Sequence, residues 1–295
     1  MRLLILGGGG MLGHKLWQVC RERFDTSVTV RGPASAYRRY ALFDERRLIP
    51  GVDAGDFDSI IRAMATAKPQ VVVNCIGIVK QLAAARDPIQ SLAVNALFPH
   101  RVAALCEAAG ARFVHISTDC VFAGTKGGYT EADVQDATDL YGRSKGLGEV
   151  GAPALTLRTS IIGREMASSS GLVEWFLANR GRTVDGYTRA FFSGLTTAAL
   201  SEVIAGLLIE QPGLSGLWHL AADAISKHGL LVMMRDTLAV PIDILPRDEP
   251  AIDRTLDGSR LVAAAGLRLP GWPAMVRGLA DDPTPYDDWR HPGVA

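Results

Sequence analysis

The chain opens with MRLLILGGGGMLG, residues 1–13, and this stretch decides the fold. Met1 to Leu6 is an almost wholly apolar run, which is the pattern of a strand buried on both faces of a parallel sheet. Glycines follow at GxxGxxG spacing, and a helical segment runs from about His14 to Arg23. Glycine permits a tight turn and lets backbone N–H groups approach a pyrophosphate, while the helix N-terminus adds partial positive charge. The stretch therefore predicts a dinucleotide-binding strand–turn–helix, although a plain glycine-rich connection has the same composition.

The residues that this motif predicts against the dinucleotide are Gly7, Gly10, Met11, Leu12 and Gly13. The next strand, residues 27–30, ends in Arg31, where NAD-binding sites usually carry Asp or Glu for the ribose 2′-hydroxyl. Because an Arg suits a 2′-phosphate, we expect NADP, with NAD as the other possibility, unless Arg31 is a solvated loop residue. Asp56 precedes a helix that begins at about Asp58, and it either reaches the adenine amine or serves in a turn.

Apolar strands continue to alternate with helical segments up to residue 163. A strand over 71–75 closes in Asn74, Cys75, Ile76 and Gly77, a helix follows from Gln90 to Ala109, and strands are expected over 113–117 and 154–163. This alternation predicts an α/β fold, a Rossmann-type doubly wound parallel sheet with right-handed crossovers. Ligands on such sheets bind beyond the carboxyl ends of the strands, so the four residues from Asn74 to Gly77 join the predicted cofactor site.

Beyond residue 163 the strict alternation ends, which predicts a smaller mixed α/β C-terminal substrate lobe. We expect residues 1–163 and about 190–216 to form an NADP-binding Rossmann domain. Residues of about 164–189 and 217–295 are expected to form the substrate-binding lobe, with one element crossing back to the main sheet. Helices are expected over 172–179, 197–210 and 227–238.

The chemistry is predicted between residues 112 and 150. The strand over 113–117 ends beside Thr118, and Tyr141 and Lys145 lie four apart on a predicted helix, so both face the same way. A phenol with a pKa near 10 is a poor acid at neutral pH, and a cation one helical turn away lowers that pKa. With Thr118 hydrogen-bonding a carbonyl oxygen, the three residues predict a proton-delivery site. A packed aromatic and a solvated lysine are the simpler alternative.

Taken together, these motifs resemble an extended short-chain dehydrogenase/reductase, and more closely its dTDP-4-dehydrorhamnose reductase branch. The resemblance rests on the N-terminal glycines, on STDCVFAG over 117–124, on LYGRSKGLGE over 140–149, and on LRTS and DGSRL further along. It implies that an NADPH-dependent oxidoreductase transfers hydride to the 4-keto group of a nucleotide-diphosphate deoxysugar, with Tyr141 as proton donor. It also implies that Tyr141 and Lys145 contact the nicotinamide ribose region of the cofactor.

One departure from the wider family bears on the reaction. The sugar-nucleotide dehydratases of the wider family have the pattern Thr-Asp-Glu at this strand end. Here Cys120 follows Thr118 and Asp119, so the glutamate is missing, which disfavours dehydration. The substrate candidates implied by the resemblance are Lys80, Asp119, Cys120, Arg158 and Arg260. An epimerase of the same fold, and a non-catalytic NADP-binding regulatory subunit, stay open as alternatives.

Bulk composition excludes several other classes. The 295 residues carry 31 basic and 31 acidic side chains, a formal net charge of +0 that offers no electrostatic footprint for nucleic acid or an anionic membrane. The four cysteines form no CxxC pair, and no metal site is expected. No signal peptide or membrane-spanning run is recognised, so we expect a cytoplasmic protein, and a homodimer is possible.

Overall fold

The computed structural model describes residues 1–81, 83–167 and 169–290. Its strands are β1 Arg2–Leu6, β2 Asp25–Thr29, β3 Leu48–Ile49, β4 Val71–Asn74, β5 Arg112–Thr118, β6 Leu155–Thr159, β7 Ile161–Ile162, β8 Thr183–Tyr187, β9 Ala190–Phe192, β10 Leu195–Thr196, β11 Gly216–His219, β12 Ile225–Ser226, β13 Asp243–Arg247 and β14 Ile252–Asp253. Its α-helices are α1 Met11–Cys20, α2 Ser35–Arg38, α3 Phe57–Ala67, α4 Pro88–Ser91, α5 Phe98–Ala108, α6 Leu140–Leu147, α7 Leu172–Ala178, α8 Thr197–Glu210, α9 Lys227–Leu238, α10 Ser259–Ala265, α11 Trp272–Ala280 and α12 Tyr286–Arg290. None of the helices in these ranges is long and apolar enough to cross a membrane.

Seven parallel strands form the main sheet, in the order β11-β6-β5-β4-β1-β2-β3. The chain starts in the centre, winds outward to β3, returns beside β1 with β4 and continues to β6, so the predicted doubly wound Rossmann-type sheet is confirmed. The central strands β1 and β4 are almost fully buried, as their continuous apolar sequences require. The functional ends of β1, β4 and β5 are neighbours because the strands run in the same direction.

The C-terminal part is built from short strands and helices. β8 pairs with β13, and β9 lies between β12 and β14. β11, within the range expected for the substrate lobe, is the element that returns to the main sheet, where it pairs with β6. The expected helices over 197–210 and 227–238 form with those bounds. The predicted single strand over 154–163 is wrong, since β7 leaves the main sheet to pair with β10.

Two helices differ from expectation at places that matter for the site. α1 begins at Met11 rather than about His14, so the helix N-terminus directly follows the glycine turn. The expected helix over 90–109 runs from Pro88 to Ala108, but its middle, Leu92–Leu97, is π-helical. It ends before Gly110, whose φ of +65° lies in the left-handed region that glycine favours. Apolar periodicity does not distinguish the π-helical segment from an ordinary helix.

The last helix packs across the first. The Lys15 ammonium binds the Asp282 carboxylate at 2.7 Å. The buried His14 ring donates from Nδ1 to the Gly10 carbonyl at 2.8 Å and accepts from the Tyr286 hydroxyl at 2.7 Å. Burial lowers the pKa of His14 to about 4, so the ring is neutral at neutral pH. The segment around α12 is therefore tied to the helix that follows the glycine turn.

Candidate active site

Thr118 stands at the carboxyl end of β5 and is buried. Its hydroxyl accepts a hydrogen bond from the Cys120 backbone N–H at 3.1 Å and thereby caps a short 3₁₀ turn over Asp119–Val121. The same hydroxyl donates to the Asp119 carboxylate at 3.1 Å. The strand end therefore holds Thr118 in one orientation, with the Asp119 side chain beside it.

Helix α6 brings Tyr141 and Lys145 to this strand end. Asp139 caps the helix by accepting from the Gly142 N–H at 2.9 Å, and it also accepts from the Lys80 ammonium at 2.9 Å. A Cβ atom on Gly142 would lie 2.1 Å from the Cys120 carbonyl oxygen, so only glycine lets α6 approach so closely. The helix sequence thus places Tyr141 and Lys145 against the turn that follows Thr118.

Lys145 is buried beneath the strand end, where its ammonium donates to the Ile116 carbonyl at 2.7 Å. Burial lowers the pKa of Lys145 to about 8, and the nearby Glu149 carboxylate opposes part of that shift. A Cβ on Gly77 would lie 3.9 Å from the Lys145 Nζ, so this ammonium also lies close to the end of β4. Lys145 therefore connects α6 with the sheet edge where the predicted cofactor residues lie.

The Tyr141 phenol has a pKa raised above its ordinary value. Burial is the main cause, the Cys120 side chain adds to it, and the neighbouring Thr118 side chain opposes it. The expected lowering of this pKa by Lys145 is not seen, because burial raises the pKa and the Lys145 ammonium is held by the Ile116 carbonyl. The phenol stays protonated at neutral pH, which is the form that proton donation requires.

The glycine turn after β1 forms a cradle that no other residue fits. Gly7 has a φ of +89°, and a Cβ on Gly13 would lie 2.1 Å from the Gly7 carbonyl oxygen. Gly10 begins α1 without a side-chain cap, and the first turn contains no acidic residue, so Met11 and Leu12 lie at an open helix N-terminus. This arrangement fits the pyrophosphate of a dinucleotide.

The end of β4 lies against the same turn. A Cβ on Gly7 would lie 2.9 Å from the Ile76 side chain, and Asn74 fixes the turn by accepting from the Ile76 N–H at 3.0 Å. Cys75 lies between them, and burial raises the pKa of its thiol, so the thiol stays protonated. The structure thus brings the predicted cofactor residues of β1 and β4 together.

The two predicted residues at the adenosine end differ in their contacts. Arg31 follows β2 and is exposed, and within the described ranges its guanidinium has no hydrogen-bond or ion-pair partner. Asp56 precedes α3 but makes no capping hydrogen bond; its carboxylate accepts from Arg62 at 3.2 Å. Arg31 is therefore available to a phosphate, whereas Asp56 already has a partner.

The predicted substrate residues fall into two groups. Asp119 and Cys120 directly follow Thr118, and Lys80 reaches the cap of α6, so these three lie at the site. Arg158 does not, because its buried guanidinium makes two hydrogen bonds to Glu149, at 2.7 and 2.6 Å, and one contact with His219. The prediction that Arg158 binds substrate is therefore wrong, and the residue forms a structural ion pair with Glu149.

Arg260 also lacks contact with Thr118, Tyr141 or Lys145. Its guanidinium lies 3.8 Å from the centre of the Trp218 ring and donates to the Leu217 carbonyl at 3.2 Å. Its role as a substrate-binding residue stays a prediction. Among the described residues, no three His, Cys, Asp or Glu side chains cluster closely enough to hold a metal ion.

Sequence reasoning missed three residues at the site. Asn95, in the π-helical segment, binds both the N–H and the C=O of Ile78, at 2.8 and 3.0 Å. Lys227 and Arg254, from the C-terminal part, both lie close enough to Asp119 to counter the rise that burial causes in its pKa. A buried Asn within an apolar helix was the one signal for Asn95, whereas nothing in the sequence near Lys227 or Arg254 marks them.

Comparison with known proteins gives the same picture. The chain is 29% identical to dTDP-4-dehydrorhamnose reductase of Burkholderia thailandensis, over 92% of this chain and 95% of that protein. The solved structure of a dTDP-4-dehydrorhamnose reductase from Bacillus anthracis in complex with NADP matches 94% of this chain and 98% of its own, with a TM-score of 0.77 and 20% identity. The Bordetella bronchiseptica enzyme WbmG, in complex with NAD and UDP, matches 95% and 93%, with a TM-score of 0.76 and 18% identity. At these identities the two structures show the fold.

The fold, the similarity in sequence over almost the whole chain and the matching family model together define an extended short-chain dehydrogenase/reductase, a class of NAD(P)-dependent oxidoreductases. Within this class, the family model described as RmlD substrate binding domain matches residues 1–247. The chain belongs to that family.

Proposed function

We propose that this chain uses NADPH to reduce the 4-keto group of a nucleotide-diphosphate deoxysugar. The observation that carries the proposal is the meeting of Thr118, Tyr141 and Lys145 at the carboxyl end of β5, next to the glycine cradle. The similarity to dTDP-4-dehydrorhamnose reductase over almost the whole chain supports the substrate class.

The residues divide the chemistry between them. When bound, the reduced dinucleotide supplies the hydride that reaches the carbonyl carbon. Tyr141 donates its phenolic proton to the carbonyl oxygen as negative charge develops there, and Thr118 hydrogen-bonds the same oxygen and orients it. The Lys145 ammonium, one helical turn away, stabilises the phenolate that remains.

The cofactor assignment rests on Arg31 and the cradle. The cradle at Gly7 and Gly13 fits a pyrophosphate, and the exposed Arg31 guanidinium at the end of β2 suits a 2′-phosphate. Structures of related fold hold NADP in one case and NAD in another, so the preference for NADP rests on Arg31. We assign the cofactor to residues 1–163 with about 190–216, and the sugar nucleotide to the remaining lobe.

We also infer a homodimer, formed through the long helix around the π-helical segment. Ile89 and Leu92 lie three residues apart, Leu97 follows about one turn later across the π-helical segment, and the three are 79, 43 and 56% exposed; the neighbouring Leu147 on α6 is 63% exposed. An apolar stripe at this spacing normally packs against another helix, and a second copy related by a two-fold axis supplies the same stripe.

The four cysteines are free, which suits the reducing cytoplasm that we propose as the location of the protein.

The direct test follows NADPH consumption by the purified protein with dTDP- or UDP-linked 4-keto-6-deoxysugars. The proposal expects stoichiometric oxidation of NADPH and formation of the 4-hydroxy sugar. An epimerase would instead retain NAD through purification and give no net turnover of NADPH. A regulatory subunit would bind NADPH without consuming it with any of these substrates.

The dimer is tested separately by light scattering. Leu97→Glu should shift the protein toward the monomer, because it places a charge within the apolar stripe. Ile209→Glu is the matched control, since Ile209 is 57% exposed on α8, outside the stripe. A wild-type protein that is monomeric at all concentrations would exclude the dimer.

A further inference from the structure

Two buried hydrogen bonds in series join the last helix, α12, to the glycine turn. The Tyr286 hydroxyl binds the Nε2 atom of His14 at 2.7 Å, and the Nδ1 atom of the same ring binds the Gly10 carbonyl at 2.8 Å. His14 is 0% exposed and Tyr286 is 2% exposed, so water does not compete for either bond. The proposed chemistry makes no use of this histidine, although it directly follows Gly13, the last glycine of the cradle.

The partners of the His14 ring determine which nitrogen carries the proton. The Gly10 carbonyl can only accept, so Nδ1 donates to it. Burial lowers the pKa of His14 to about 4, so at neutral pH the ring is neutral and its Nε2 atom accepts from the Tyr286 hydroxyl. Tyr286 therefore selects the tautomer that can donate to Gly10.

The position of the Tyr286 hydroxyl is fixed by contacts on both sides of that residue. Before α12, the Asp282 carboxylate binds the ammonium of Lys15, the neighbour of His14, at 2.7 Å. Within α12, the Tyr286 ring packs edge-on against Trp289, with 5.3 Å between the ring centres. These contacts keep the hydroxyl opposite His14.

The Gly10 carbonyl belongs to the same peptide group as the Met11 N–H. A trans peptide is planar, so its C=O and N–H point in opposite directions and neither turns without the other. The carbonyl accepts twice, from the His14 ring and from the His14 backbone N–H at 3.3 Å. Because Met11 is the first residue of α1, its N–H has no partner within the helix and points out of the N-terminus. The His14 ring therefore fixes the direction of the Met11 N–H.

We propose that His14, held by Tyr286, is a positioning residue that aims the Met11 N–H at the pyrophosphate of the bound dinucleotide. The cradle at Gly7 and Gly13 fits the pyrophosphate at this end of α1. A carbonyl that accepts a second hydrogen bond also polarises its peptide group, which makes the N–H a stronger donor to an anion. His14 acts on the cofactor only through the backbone. The inference rests on the dinucleotide site of the proposed function and not on its sugar.

The test compares His14→Asn with His14→Leu, whose side chains have the same size and branching. An Asn amide can donate to the Gly10 carbonyl from the position of Nδ1, whereas Leu cannot. Both variants lose the bond to Tyr286, so both should unfold at lower denaturant concentration than the wild type. By fluorescence titration, His14→Leu should bind NADPH and NADH each about 3- to 10-fold more weakly than His14→Asn does, the range for one hydrogen bond. The factor should be the same for both because they share the pyrophosphate.

Two controls separate positioning from a general loss of structure. Adenosine 2′-monophosphate lacks the pyrophosphate, so its affinity, measured by displacement of NADPH, should be equal in the two variants. His100→Leu removes a ring that also binds a backbone carbonyl, that of Leu147 at 2.8 Å, but is exposed on α5 and lies outside the cradle. This variant should bind NADPH as the wild type does.

Equal affinities of His14→Asn and His14→Leu for the dinucleotides would overturn the proposal, and so would a difference that extends to adenosine 2′-monophosphate. If His14→Leu does not fold, Tyr286→Phe replaces it, since it keeps the ring and removes the hydroxyl that holds His14. Tyr286→Phe should weaken NADPH binding about 2- to 5-fold, and an unchanged affinity would overturn the proposal. A wild-type protein that binds NADPH but reduces no 4-keto sugar would contradict the proposed function alone, so the two failures are distinguishable.

Discussion

On the sheet side of the site, the functional residues stand at the ends of parallel strands, whereas on the lobe side they depend on a helix cap and on short strand pairs. Gly7 and Thr118 follow β1 and β5, which share a sheet edge with β4, so strand order alone brings them together. Lys227 and Arg254 come from segments more than 100 residues later and are held by Ser226, Phe192 and two backbone carbonyls. Under the proposed function, the sheet side carries the reaction and the lobe side contacts the sugar nucleotide.

The largest expected effect comes from a substitution on the sheet side alone. Tyr141→Phe should lower the reduction rate by at least about 100-fold, because the proton donor is lost. Its dissociation constant for NADPH, measured by fluorescence titration, should stay within error of the wild type. Tyr187→Phe, an exposed tyrosine on β8, is the matched control and should keep full activity. A Tyr141→Phe enzyme that retains most of its rate would show that another group delivers the proton.

A second prediction concerns the cradle. Gly13→Ala should destabilise the protein by about 1–3 kcal/mol and weaken NADPH binding, since its Cβ would meet the Gly7 carbonyl oxygen at 2.1 Å. Gly206→Ala on α8, where no atom lies within 4 Å of the new Cβ, should leave NADPH binding unchanged and raise stability slightly. Denaturant unfolding and NADPH titration measure both. If the two variants behave alike, the close approach at Gly13 is not what shapes the turn.

A third prediction tests cofactor choice. Arg31→Ala should raise KM for NADPH about 10-fold or more and leave KM for NADH nearly unchanged, because only the 2′-phosphate is affected. Arg38→Ala serves as the control, since that side chain is already paired with Glu45 at 2.8 Å. An unchanged ratio of the two KM values would show that Arg31 is a solvated loop residue that does not contact the cofactor.

The smallest expected effect is a pH dependence within the sheet side. Reduction needs the Tyr141 phenol protonated and the Lys145 ammonium charged, and burial places the pKa of Lys145 at about 8 while it raises that of Tyr141. Log kcat/KM should therefore fall as the pH rises through about 8, and it should be level below that pH as far as the protein stays folded. A rate that stays level through pH 8 would show that the Lys145 charge is not needed for the reduction.

Features that depend on local pattern and strand order are predicted well from the sequence. The glycine spacing, the Tyr141–Lys145 repeat and the polar end of β5 are each readable within a few residues, and the parallel sheet brings them together. Arg158 was assigned wrongly because its partner Glu149 is identifiable only once β6 and the end of α6 are placed in space. The raised pKa of Tyr141 likewise depends on burial, which four residues of helix do not reveal.

The lobe residues escaped prediction for a related reason. Lys227 is placed by the pairing of β12 with β9, which brings it over the Phe192 ring, and Arg254 is held by two carbonyls of the segment that follows β5; neither contact leaves a trace in the neighbouring sequence. The π-helical segment around Asn95 has the apolar periodicity of an ordinary helix, so its wider turn could not be predicted from the sequence either.

The packing of α1 has a consequence for how the protein is made. α1 leaves the ribosome well before α8 and α12, yet its apolar face is covered by α8 and by the aromatic side chains of α12, and the Lys15 ammonium binds the distant Asp282. A chain synthesised as far as residue 163 would still expose that face, and domains generally fold as units during synthesis. The packing of α1 is therefore completed only once α12 has been synthesised, and the apolar surface exposed until then favours aggregation.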